Sequence, residues 1–314
     1  MNPHTKPPAL PLKKPGEKRF CLIDGNHLIH RAFHAISAPL TTSKGEPTNA
    51  LFGFTSIMLN VIELLEPECM AMTFDEKAPT FRHEMQEDYK GTRVKAPDEL
   101  YVQIPRIREM CERFSIPIFS QGGFEADDFM GTLAKKAEEA GLTTYIVTGD
   151  RDTLQLVNEH TFVVFPHKGF KEPQLMDNAA VFEKYGVRPD QMIDYKALVG
   201  DSSDNIKGVE GIGPVAAEKL LKQYGTLEEI YSHLPEISEA MRHKLEKGTD
   251  DAQMAKKLSS IVMDVPCELD LKKASVRSFN FPALQKFCEE MEMLSLVRRI
   301  PKMAPAPEAQ MSLF

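Results

Sequence analysis

Three short apolar runs, each closed by an aspartate, constrain this chain more than any other feature of its sequence. Phe20-Cys21-Leu22-Ile23 runs into Asp24-Gly25-Asn26, Cys69 to Phe74 is closed by Asp75, and Thr143 to Thr148 is followed by Gly149-Asp150. The segments Asn49 to Leu65, Glu99 to Phe114 and Ala126 to Ala140 carry the period of a helix. Short buried strands alternating with helices predict an α/β fold with a mostly parallel sheet covered on both faces. In such a sheet ligands bind beyond the carboxyl ends of the strands, where Asp24, Asp75 and Asp150 fall. One aspartate after a strand is ordinary turn chemistry. Three in succession point to a shared site.

Further acids strengthen that reading. Glu125-Ala126-Asp127-Asp128 opens a predicted helix with more carboxylates than its dipole needs. Asp150-Arg151-Asp152 and Asp201-Ser202-Ser203-Asp204 add two spaced pairs, the second also compatible with an Asx turn. Together Asp24, Asp75, Glu125, Asp127, Asp128, Asp150, Asp152, Asp201 and Asp204 can converge on one sheet edge, where their repulsion calls for cations. Carboxylates without a nearby thiolate or imidazole select hard ions, Mg²⁺ or Mn²⁺. Two such ions ~4 Å apart suit in-line hydrolysis of a phosphodiester. His27, His30 and His34 have helical spacing, but nothing completes a zinc site around them, so they are read as lining the cleft or packing.

The formal net charge of −8 argues against a protein that simply coats phosphates. Bound divalent cations would reverse that local logic. Five cysteines without a C-x-x-C pair fit reduced thiols in the cytoplasm. No apolar run approaches the ~18–20 residues of a membrane span. Residues 1–19, rich in Pro and Lys, are expected to be a disordered leader, 20–194 the α/β core, 195–300 a helical subdomain and 301–314 a Pro/Ala linker with a terminal peptide. Lys77 to Pro97 is long, polar and basic, so it is either disordered or functional. Poised over an acidic cleft, its cations would counter phosphoryl charge, and Phe81 and Tyr89 would stack on unpaired bases.

A colinear series of strings then becomes specific: Ile23-Asp24-Gly25, Arg31-Ala32-Phe33-His34-Ala35, Gly45-Glu46-Pro47-Thr48, Phe74-Asp75-Glu76-Lys77 and Phe81-Arg82-His83-Glu84. Tyr89-Lys90-Gly91-Thr92-Arg93, Glu125-Ala126-Asp127-Asp128, Thr148-Gly149-Asp150-Arg151-Asp152 and Gly200-Asp201-Ser202-Ser203-Asp204-Asn205-Ile206 follow in order. Over roughly residues 20 to 295 the chain resembles the 5′ nuclease domain family of bacterial DNA polymerase I and its free-standing phage and eukaryotic relatives, the flap endonucleases. The resemblance implies a PIN-like core, a helical arch at about 77–97 and a helix–three-turn–helix subdomain. It implies a first metal on Asp24, Asp75, Glu125, Asp127 and Asp128, and a second on Asp150, Asp152 and Asp204 supported by Asp201. Lys90 and Arg93 match the arch residues that hold the scissile phosphate, with Arg31, Phe81, Arg82, Tyr89 and Lys95 as further DNA contacts.

Gly208 to Lys219 resembles the family's helix–hairpin–helix element. Gly211 and Gly213 let backbone approach a phosphate, Pro214 suits a first helical turn, and free N–H groups there attract an anion. Lys207, Lys219 and Lys222 add charge, and Lys207 stands where many polymerase-fused members carry Pro. The resemblance also implies K⁺ held by backbone carbonyls at this turn. No polymerase or proofreading segment follows, so polymerisation is expected from another protein. Gln310-Met311-Ser312-Leu313-Phe314 resembles the peptide by which bacterial replication proteins dock on the polymerase sliding clamp, with Leu313 and Phe314 filling an apolar pocket. Tethering of that kind raises effective concentration at DNA.

The expected activity is that of a monomeric, cytoplasmic, nucleoid-associated 5′→3′ exonuclease and flap endonuclease, acting on 5′ flaps, nicks and RNA primers. Two rivals are a silent scaffold for branched DNA and the clamp, and a small Mg²⁺-dependent phosphohydrolase. The second leaves the basic segment and the hairpin unexplained.

Overall fold

A computed structural model describes residues 10, 12–36, 39–93, 95–167, 170 and 172–303. The clamp-like residues Gln310 to Phe314 lie outside the described residues. The chain is α/β. Its central sheet comprises β1 (Arg19–Asp24), β2 (Cys69–Thr73), β3 (Ile118–Phe119), β4 (Thr143–Val147), β5 (Thr161–Phe165) and β6 (Gln174–Met176) in the order β3-β2-β1-β4-β5-β6. Every neighbouring pair is parallel except β5 with β6. β1 and β2 are buried throughout, as continuous apolar runs in a doubly covered sheet should be.

Strand alternation divides the core in two. Phe20 and Leu22 of β1 face one layer, while Cys21 and Ile23 face the other. The second layer is covered by α1 (Gly25–Ala35), α2 (Asn49–Leu65) and, beyond the short α3 (Phe81–Met85) and α4 (Asp98–Tyr101), by α5 (Ile104–Phe114). The first is covered by α6 (Ala126–Glu139). The helical part follows as α7 (Asn178–Tyr185), α8 (Met192–Val199), α9 (Pro214–Tyr224), α10 (Leu227–Ser232), α11 (Glu239–Lys247) and α12 (Thr249–Ser259). α13 (Leu271–Ala274), α14 (Phe281–Glu290) and α15 (Leu294–Val297) bring the chain back to the core. There Phe279 and Phe281 pack on Phe114 of α5 at 5.1 and 4.9 Å between ring centroids.

Some boundaries differ from the sequence expectation. The helix expected over Glu99–Phe114 is two helices, because Pro105 in the first turn of α5 has no N–H to continue a ladder. Gln103 in the break accepts from the N–H groups of Ala50 and Leu51, at 2.9 and 3.2 Å, and so serves the N-terminus of α2. Part of the expected leader is engaged: Lys13 pairs with Glu68, and Arg19 is buried as the first residue of β1. No helix among the described residues is long and apolar enough to cross a membrane.

Candidate active site

β2, β1 and β4 lie side by side, so their carboxyl ends bring Asp24, Asp75 and Asp150 to one place. Asp24 caps α1 by accepting from His27 N–H at 3.0 Å, and its other oxygen accepts from Thr148 Oγ1. Asp75 accepts from Ala126 N–H at 2.8 Å, which ties β2 to the start of α6. Asp150 accepts from Asp152 N–H at 2.9 Å and fixes the turn that carries both. The approach of these loops is close. A Cβ on Gly25 would stand 2.2 Å from the Phe74 ring, and one on Gly149 would stand 2.1 Å from His27 Nε2.

Asp24, Asp75, Glu125, Asp127, Asp150, Asp152 and Asp201 line one cavity of about 800 Å³, together with Lys90, Arg93, His27, His30 and Lys196. Among the described residues no three acidic, His or Cys side chains are already closed into a coordination sphere. Basic groups hold them instead. Lys90 Nζ lies 2.9 Å from Glu125 and 4.0 Å from Asp204, and Arg93 Nη2 lies 2.6 Å from Asp204. Lys196 Nζ bridges Asp152 and Asp201. The expected arch segment is therefore laid on the acidic loop. Lys90 N–H donates to Asp204 O at 3.0 Å, and Lys90 itself adopts φ +58°, a left-handed conformation that a non-glycine residue keeps only when its surroundings impose it.

Several sequence expectations are corrected here. Asp128 does not face the cavity. Its carboxylate is buried against Arg82 through paired 2.8 Å bonds and also accepts from the N–H groups of Glu125 and Val262, so its oxygens are committed. Arg82 is equally buried, donating to Leu258 O and Ser260 O as well, and offers DNA nothing. Tyr89 is buried too, with its hydroxyl 3.2 Å from Glu125 and 3.4 Å from Asp204, and cannot stack on a base in this arrangement. Phe81 is half-buried beneath the Arg82 guanidinium. Lys95 pairs on the surface with Asp98, and Arg31 is half-buried on α1.

Electrostatics show why the acids need cations. Burial pushes Asp24 up to about 7, outweighing what the hydrogen bonds from Thr148 and the His27 N–H recover, with smaller added repulsion from Asp75 and Asp150. Burial raises Asp127 as well, reinforced by Asp150, Asp24 and Asp152. Asp152 is pushed up to about 7 by burial even though Lys196 stands beside it. Burial would lower Lys90, but Glu125 and Asp204 outweigh it and keep the ammonium charged. An all-carboxylate donor set whose members resist ionising together fits hard divalent ions.

The profile of the family described as "5'-3' exonuclease, N-terminal resolvase-like domain" matches residues 19–186, and that of its "C-terminal SAM fold" matches 187–282. The chain belongs to the 5′–3′ exonuclease family. It is similar to DNA polymerase I of Caldicellulosiruptor bescii, 42% identical over 284 residues, covering 90% of this chain and 33% of that protein. Likewise it is 38% identical over 297 residues to DNA polymerase I of Bacillus subtilis, covering 94% of this chain and 34% of that protein. The chain thus spans about a third of the length of these relatives. The fold resembles that of a zinc-bound 5′-exonuclease of T5, with TM-score 0.66, 19% identity and coverage of 88% of this chain and 100% of that one. It also resembles the catalytic core of Rad2 in complex with DNA substrate, with TM-score 0.59, 16% identity and coverage of 90% and 92%.

Within the segment expected to form the helix–hairpin–helix, about 200–235, a two-stranded hairpin leads into α9 and α10. Gly200–Asp201 pairs with Ile206–Lys207, Val209 and Ile212 are buried, and Pro214 opens α9 behind Gly213. Gly211 has φ +78°, and its carbonyl accepts from Lys244 Nζ at 3.0 Å. Lys207, Lys219 and Lys222 are exposed along this element. Sequence reasoning missed Lys196, Thr148, Tyr185 and Tyr195, of which all but Thr148 line the cavity. Only Lys196 carried a local signal, lying five residues before Asp201 at the end of α8. Its other partner, Asp152, is remote in sequence.

Proposed function

We propose that this chain is a divalent-metal-dependent 5′ nuclease that cleaves phosphodiesters at 5′ flaps, nicks and RNA primers. One observation carries the reading: a single cavity joins the carboxylates at the ends of β2, β1 and β4 to those at the start of α6, with Lys90 and Arg93 on its rim. Asp24, Asp75, Glu125 and Asp127 would hold one Mg²⁺ or Mn²⁺, and Asp150, Asp152 and Asp204, supported by Asp201, a second. Such a pair supplies an activated water and charge stabilisation at the leaving oxygen. The chain's own work is positional. Thr148 and the α1 N-terminus orient Asp24, Ala126 N–H orients Asp75, and Lys90 and Arg93 hold the scissile phosphate against the acids. The hairpin grips duplex backbone without reading sequence, and backbone carbonyls of its turn would hold a K⁺ there. Residues 310–314 dock on the sliding clamp.

A labelled 5′-flap duplex, a nicked duplex and a single strand, each with Mg²⁺ and with EDTA, test this directly. Cleavage of the flap should require the metal, and Asp127→Asn should lower its rate by at least about 10³-fold while leaving flap binding in place. An Asp127→Asn protein that cuts at the original rate overturns the metal assignment, and tight flap binding in Mg²⁺ without any product favours the scaffold. Removal of residues 310–314 should abolish clamp binding and spare cleavage of the isolated flap.

A further inference from the structure

The cavity contains one ammonium group to which the nuclease reading assigns no task. Lys196 is nearly buried on α8, and its Nζ contacts Asp152 and, at 2.7 Å, Asp201. The fold builds this bridge deliberately. Gly200, at φ +80°, ends α8 and returns Asp201 alongside Lys196. A Cβ there would stand 2.5 Å from Gly208 N, so the return cannot be loosened by another residue. Asp152 arrives from the turn after β4, held by the Asp150 carboxylate. Of the other cavity cations, Lys90 and Arg93 belong to a different segment and face Glu125 and Asp204, and Arg151 is exposed to solvent.

An ammonium between two carboxylates relieves the same repulsion that a divalent ion would relieve, and both cannot use the same oxygens at once. We propose that Lys196 is the internal counter-ion of the second cation site, so that a divalent ion binds Asp152 and Asp201 only by displacing it. The proposal rests on the two-ion reading above. Displacement leaves the ammonium on a flexible four-carbon stem beside the site of reaction, where a DNA phosphate is the natural new partner. Affinity for the second ion in the absence of DNA is then lowered by the fraction of molecules in which the bridge is closed. Arrival of a phosphate removes that penalty, which couples DNA and second-ion binding in both directions.

Mn²⁺ binding to the DNA-free full chain, followed by electron paramagnetic resonance, tests the idea in the wild type, Lys196→Met, Lys196→Arg and Lys184→Met. Lys184 is exposed on α7, near the cavity, and packs over the Phe165 and Tyr185 rings. It therefore reports the general effect of losing a nearby charge. Lys196→Met should bind the weaker of two ions about tenfold more tightly. Lys196→Arg, which keeps a cation in the bridge, and Lys184→Met should each stay within about twofold of wild type. An unchanged Lys196→Met overturns the proposal, as does a comparable gain in Lys196→Arg or Lys184→Met. Should Lys196→Met not fold, Lys196→Gln, which retains a donor for the two acids, carries the same expectation. A wild type and Lys196→Met that both bind no Mn²⁺ would overturn the two-ion reading itself. A wild type that binds two ions, with Lys196→Met no tighter, overturns the counter-ion alone.

Discussion

Arg82 and Asp128 face each other through two parallel hydrogen bonds, both 2.8 Å long, in a position closed to solvent. This pair ties the root of the basic segment to the first turn of α6 and to the strand of chain around Leu258–Val262. Removing one partner leaves a buried charge uncompensated. Arg82→Met or Asp128→Leu should each destabilise the fold by about 3–5 kcal/mol, and the double change should recover part of that loss. Urea unfolding midpoints measure it. Were Asp128 chiefly a metal ligand, Asp128→Leu would weaken Mn²⁺ binding and scarcely move the midpoint.

Tyr89 gives a sharper contrast between two roles. Its hydroxyl lies between Glu125 and Asp204, one acid of each proposed cation site. Tyr89→Phe should therefore lower the cleavage rate by about tenfold, through misplaced carboxylates, with flap affinity unchanged. A ring that stacked on bases would instead tolerate Phe, and Tyr89→Ala would weaken flap binding without a separate loss of rate. Single-turnover cleavage beside equilibrium binding separates the two.

Gly25 leaves no room for a side chain against Phe74, the residue before Asp75. Gly25→Ala should cost about 1–3 kcal/mol by forcing the ring and its neighbour apart. Cleavage should fall further than stability alone explains. Thermal unfolding and flap cleavage at a temperature where the variant is fully folded check both parts.

Glu17 titrates far from the acidic cavity. Burial alone would raise its carboxyl, but Arg19, Lys14 N–H and Tyr145 outweigh burial and hold it below the ordinary glutamate value. A lowered folded-state pKa stabilises above the unfolded value, near ~4.3, and that stabilisation is lost as pH falls through the folded value. Glu17→Gln should accordingly be less stable than wild type at pH 7, by less than about 1 kcal/mol, with the difference vanishing toward pH 3. Unfolding midpoints across that range decide it.

How much of this was legible in advance varies by element. The runs at Phe20, Cys69 and Thr143 disclosed β1, β2 and β4, because buried parallel strands are continuous apolar stretches. The edge strands were not disclosed. β3 has two residues and β6 three, too few to show a period. At the site, Asp24, Asp75 and Asp150 could be placed from sequence because each directly follows a strand of a parallel sheet.

Residue type and order determined the α/β class and the acidic pole of the sheet, since both follow from local pattern. Only the tertiary structure decided which charges meet. Asp128 turned from the cavity to Arg82, Tyr89 became a clasp between two carboxylates, and Lys196 entered the space between Asp152 and Asp201. Charge pairing acts over a few ångströms in space and is indifferent to distance along the chain, so no local pattern could announce these partners.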